Sequence, residues 1–183
     1  MKFCPYCGKH YEDSVAICPV DHEALEGAAD PERSITGTWH GSYSYPQNPD
    51  ADDVPFTLNL QQGAGGHFTG TVTEDPALGM PGTGTIEGQL AFPRIQFVKR
   101  MPVCYLTAPD GSRITLREWL AAQNLVCESD LPHPPVCYRG EFYGDAEARG
   151  VWIIEPWEIA LAGGMSTPMG KVSGSWVIKL EPG

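Results

Sequence analysis

Three of the six cysteines, Cys4, Cys7 and Cys18, lie close together near the start of the 183-residue chain. Two cysteines separated by two residues can turn both thiolates toward one ion if the backbone bends sharply between them, and Pro5 and Gly8 suit that bend. Beyond a gap containing Tyr11, Val15 and Ile17, the segment Cys18-Pro19-Val20-Asp21-His22 offers a third thiolate and further donors. The gap suits a short hairpin that returns the second half to the first. Tetrahedral Zn2+ held by Cys4, Cys7, Cys18 and a fourth ligand from Asp21 or His22 is the expectation, with His10 a weaker candidate. So short a segment has little core and needs a metal or a partner to fold.

The pattern resembles the zinc-ribbon family, in which two Cys-Pro-x-Cys-Gly knuckles face each other. Cys4, Pro5, Cys7 and Gly8 match the first knuckle. In the second, Asp21 stands where the family has its last cysteine and His22 where it has glycine. Register therefore favours Asp21 and ligand chemistry favours His22. A closed shell of this kind is structural and leaves no open position for chemistry.

A second grouping, Cys104, Cys127, His133 and Cys137, has donors for another metal but no recognised spacing. Buried cysteines and a surface histidine are the preferred reading there. The chain contains no nucleophile elbow, no phosphate-cradling glycine loop and no His-Glu-x-x-His. His40 and His67 are scattered, and Asp52-Asp53 lies in a Pro/Asp-rich loop. These residues give no positive reason to expect an enzyme, although a metal-dependent enzyme using residues 101–135 is a third reading.

The elements that must position these groups follow from the remaining pattern. Residues 1–27 form the metal module and residues 28–34 a small, polar linker without apolar periodicity. From residue 35 to 183 the apolar residues alternate with period two. The inward sets are Ile35-Gly37-Trp39-Gly41-Tyr43-Tyr45, Phe56-Leu58-Leu60, Phe68-Gly70-Val72, Ile86-Gly88-Leu90 and Ile95-Phe97. Later come Tyr138-Gly140-Phe142, Val151-Ile153 and Trp176-Ile178-Leu180. With 21 glycines and 17 prolines punctuating the runs, the chain is expected to be mainly β, an up-and-down antiparallel barrel of about eight to ten strands. Glycines beside large aromatics suit strongly coiled strands.

The segment Ile35-Thr36-Gly37-Thr38-Trp39, with Phe68-Thr69-Gly70-Thr71 after it, is similar to the opening of calycin barrels, the lipocalin and avidin group. The resemblance covers the first part of the barrel only. It implies an up-and-down barrel holding a small apolar ligand; biotin contacts are not carried over. Candidate ligand contacts are Trp39, Tyr43, Trp119 and His133. Trp39 has a preferred alternative role, plugging the closed end of the barrel.

Residues 101–135 interrupt the meander. Val103–Thr107 suits a strand, and Thr115–Asn124 a short helix with Thr115 as N-cap, Glu118 completing a capping box, and Leu116, Trp119 and Leu120 as the apolar stripe. The prolines at 132, 134 and 135 impose an extended path; a single short helix suits plugging one end of the barrel or packing on its wall, the alternative being that helix and proline segment together form a lid over the barrel mouth.

A net charge of -11 argues against a nucleic-acid partner. There is no apolar leader and no span long enough for a bilayer, so the expected compartment is the cytoplasm, where cysteines serve as ligands or buried residues. The expected function is a non-catalytic zinc protein whose barrel binds a small apolar ligand or a peptide, the ribbon being structural or docking a protein partner. The alternative is an interaction scaffold with a solid barrel.

Overall fold

A computed structural model describes residues 2–4, 9–12, 14–20, 22, 34–46, 52–107, 113–125, 131–160 and 166–181. The protein is mainly β, with an eight-stranded closed antiparallel barrel and a short helix. At the start, β1 (Lys2–Phe3) and β2 (His10–Tyr11) form a small antiparallel pair. The expected linker lies almost wholly outside the described residues.

The barrel begins with β3 (Gly37–Tyr43), β4 (Val54–Gln62), β5 (His67–Glu74), β6 (Thr83–Ala91) and β7 (Arg94–Arg100). The insertion follows, with β8 (Tyr105–Thr107), β9 (Arg113–Thr115) and α1 (Leu116–Ala122). Then come β10 (Val136–Phe142), β11 (Glu147–Ile154), a hairpin of β12 (Trp157–Ala160) and β13 (Ser166–Met169), and finally β14 (Val172–Leu180). Barrel strands pair with their neighbours in chain order. The ring is closed by β14 pairing with β3 and completed across the insertion by β10 pairing with β7.

Alternation explains the core. Trp39, Tyr43, Phe56, Leu58, Leu60, Phe68, Val72, Ile86, Leu90, Ile95 and Phe97 are buried, as the period-two runs predict. In β11 the prediction is off by one residue. Val151 is 51% exposed, while Trp152 and Ile154 point inward and are buried. The run Val151-Trp152-Ile153-Ile154 is apolar at every position, so its alternation cannot choose a face. Packing chooses: Trp152 lies over Gly174, where an added Cβ would come within 2.5 Å of the indole nitrogen. The Trp152 indole N–H then donates to Ser44 O at 3.1 Å.

The two ends of the barrel differ. At one end the connections are short, and Ile35, Trp39, Phe142 and Phe92 close the interior. Trp39 donates from its indole N–H to Ile35 O at 2.9 Å and meets Phe142 edge-on at 5.7 Å. Phe142 in turn packs on Phe92 at 5.8 Å. At the other end lie the long connections, 44–53, 75–82, 101–135 and 155–171. There α1 buries Leu116 and Leu120 against Cys104 and Ile159, forming a second small core joined by Trp119, Trp157 and Met169. The β12–β13 hairpin in this cap was not legible from the alternation.

Candidate functional site

Two strands carry a charged residue into the barrel. On β5 the inward series Phe68-Gly70-Val72 continues to Glu74, and on β7 Ile95-Phe97 continues to Lys99. Both side chains are buried at the end bearing the long connections, and Lys99 Nζ donates to Glu74 Oε1. Glu74 Oε2 accepts from the Tyr43 hydroxyl at 3.1 Å and from the Met80 N–H at 2.6 Å. The Lys99 ammonium also lies 4.7 Å from the Tyr43 ring centroid and 5.7 Å from that of Tyr138. The carboxylate is thus matched on both oxygens, as a buried charge requires. Burial pushes the Tyr43 and Tyr138 hydroxyls well above their ordinary range.

The 75–82 connection is shaped around this group. Asp75 folds it by accepting from Ala77 N–H and Gly79 N–H. Gly79 passes so close to Glu74 that a Cβ would lie 2.6 Å from Oε2, and glycine is required there.

Above the ion pair, between barrel mouth and cap, is a cavity of about 860 Å3. Tyr43, Tyr45, Met80, Ile154 and Val172 line it from the barrel side. Tyr105, Arg113, His133 and Trp157 are among the residues that line it from the cap. Arg113 is anchored by donating from Nη2 to Leu78 O. A gap of about 10 Å3, bordered by Lys99, His133 and Tyr138, lies by the ion pair, with room for about one water.

His133 is buried, with its backbone N–H on Met101 O at 3.2 Å and Nδ1 at 2.7 Å from Pro134 O. Burial lowers its pKa to about 4, and the nearby Lys99 charge acts in the same direction. Cys104 lines the same cavity, and burial pushes its thiol up to about 11, which favours the protonated form at neutral pH.

Of the four candidate ligand contacts, the structure brings Tyr43 and His133 to one cavity. Trp39 lies in the closed end, and Trp119 packs in the second core. His133 is buried rather than on the surface. Cys137 occupies the outward alternate of β10, between the buried Val136 and Tyr138, so it turns away from Cys104 and His133; Cys127 lies outside the described residues. His40 is exposed on the outer face. Sequence reasoning missed Glu74, Lys99, Tyr45 and Trp157. The first two had a signal: each extends an inward apolar series with a charge of opposite sign.

In the N-terminal module Cys4 and Cys18 are both buried and share a cluster with Tyr11 and Val15. The Val20 N–H donates to Cys18 Sγ at 3.4 Å, and the Tyr11 hydroxyl is 3.2 Å from the same sulfur. The His22 N–H donates to Cys18 O at 2.9 Å. Cys7 and Asp21 lie outside the described residues, among which no three His, Cys, Asp or Glu side chains cluster as a metal site would require.

No helix among the described residues is long and apolar enough to cross a membrane. No protein-family model, curated protein or solved structure matches the chain.

Proposed function

We propose that this protein is a non-catalytic binding protein whose barrel mouth takes a small, largely apolar ligand, with the N-terminal module a structural zinc site. The cavity of about 860 Å3 carries the reading. It falls within the roughly 300–1,000 Å3 typical of small-molecule sites, and its walls mix aromatic and aliphatic side chains with a few polar groups. The polar groups beneath it satisfy one another, and the Cys104 thiol on its wall is held protonated. This suits recognition better than chemistry.

For the metal, the support is that Cys4 and Cys18 are both buried together and that the Cys18 sulfur receives the Val20 N–H. Buried sulfur that receives a backbone N–H is the environment of a bound thiolate. Cys4 and Cys18, together with Cys7 and either Asp21 or His22, would hold Zn2+ and fix the fold of a segment with almost no core. Cysteines used this way suit a reducing compartment such as the cytoplasm.

Nile red, a neutral dye without a hydrogen-bond donor, tests the cavity. Its fluorescence should rise and saturate at one dye per chain. Leu78→Trp, which fills part of the cavity, should weaken binding by roughly tenfold or more. Dye binding unaltered by that substitution would place the apolar site elsewhere and refute the reading.

A further inference from the structure

The His133 ring has a fixed proton. Its Nδ1 lies 2.7 Å from Pro134 O, a carbonyl that can only accept, so Nδ1 carries the hydrogen. In the neutral ring Nε2 is then a bare acceptor. It has no hydrogen-bond partner among the described residues, although His133 is only 9% exposed. No fully enclosed side-chain nitrogen or oxygen among those residues lacks a partner. The unpartnered Nε2 therefore reaches open space; His133 borders both the cavity and the small gap beside Lys99 and Tyr138, and of the two only the cavity has room for a guest larger than a water.

The rest of the wall narrows the guest. Tyr43, Tyr45, Tyr105 and Trp157 offer rings to stack on or meet edge-on, which favours a flat aromatic body. Asp52, Arg113 and Lys171 all line the cavity, so charges of both signs border it, and Lys171 already lies 3.9 Å from Glu155; a neutral guest needs no counter-charge from this wall. The floor offers little more, because Glu74 and the Tyr43 hydroxyl are committed to each other.

Building on the ligand-binding reading above, we propose that the cavity selects uncharged, flat aromatic molecules carrying a hydrogen-bond donor, a phenol or an aryl amine, which donates to His133 Nε2. Burial keeps the imidazole neutral well below pH 6, so the acceptor persists across the physiological range. A guest without a donor would cover Nε2 and leave it unmatched, a penalty of roughly tenfold or more in affinity.

Calorimetric titration of the full chain with 2-naphthol, 2-naphthylamine and 2-methoxynaphthalene tests this. The first two should bind roughly tenfold tighter than the third. His133→Phe should bring 2-naphthol down to the level of 2-methoxynaphthalene. His133→Gln, whose amide oxygen accepts, should keep part of the preference. Equal binding of all three compounds by the unaltered protein would overturn donor selection and leave the cavity reading standing. Failure of all three to bind while Nile red saturates would also overturn it. Failure of Nile red as well would remove the reading on which it rests. If His133→Phe does not fold, as judged by its circular dichroism, the series on the unaltered protein decides alone.

Discussion

Glu74 and Lys99 stand at inward positions where every preceding residue of the series is apolar or glycine. A buried ion pair gains little over a hydrophobic pair, but removing one partner strands the other without water. Lys99→Met should therefore cost about 3–5 kcal/mol in urea denaturation. The double substitution Glu74→Gln, Lys99→Met should recover a substantial part; if it is no more stable than Lys99→Met alone, the stranded carboxylate is not the cause. His133 makes a second prediction. Its folded pKa of about 4 lies below the ordinary 6.5, so the unfolded chain binds more protons between those values. Its contribution to stability is complete above about pH 6.5 and declines as pH falls toward 4, by on the order of 3 kcal/mol in all. His133→Gln should flatten that part of the profile relative to the unaltered protein, and identical slopes would refute the assignment. Both charged residues were legible in principle, as continuations of the Phe68-Gly70-Val72 and Ile95-Phe97 alternation. The burial of His133 was not: three prolines around it give a path but no periodicity.

Legibility differs sharply between elements. The helix could be read almost to the residue, because its start is chemically explicit. Glu118 N–H donates to Thr115 Oγ1 at 3.1 Å, and Thr115 N–H donates to Glu118 Oε2 at 2.7 Å. With only seven residues in α1, that cap carries much of its local stability, and Thr115→Ala should cost about 1 kcal/mol in the same denaturation assay. An unchanged midpoint would mean that packing of Leu116 and Leu120 alone holds the helix. β11 could be recognised as a strand but not oriented, since Val151 to Ile154 are all apolar. The β12–β13 hairpin escaped notice because Pro168 interrupts one of its short strands. Glu158 pairs opposite that proline in a two-stranded piece, where a missing N–H is tolerated.

At the scale of the whole molecule, the meander and its strand order follow from successive alternating runs, and the expected barrel, read from glycines set beside large aromatics, is what forms, although alternation alone does not force closure. The same runs would serve an open sandwich, and only the pairing of β3 with β14 and of β7 with β10 makes a ring. The cavity was unreadable, since it forms between segments distant in sequence: the end of β3, the 75–82 connection, the insertion and the hairpin. The N-terminal segment meets this ring where Gln96 Nε2 donates to Cys4 O at 3.4 Å. Because the barrel has its own core, Cys18→Ser should abolish the one zinc expected per chain in native mass spectrometry while leaving Nile red binding intact. Retention of the metal would discard the ribbon ligand set.

Ile35 and Leu180, the first and last buried or rim residues of the barrel's chain, both lie at the end plugged by Trp39; Leu180 pairs with Trp39 and the Glu181 N–H donates to Thr38 O at 3.0 Å. The barrel is thus a cup whose two handles are on its base. A reporter fused beyond residue 181, or a surface gripping the chain there, would hang from the base and leave the rim clear. Nile red association and dissociation, the test of the proposed site, should run at the same rates whether the protein is tethered by that end or free in solution.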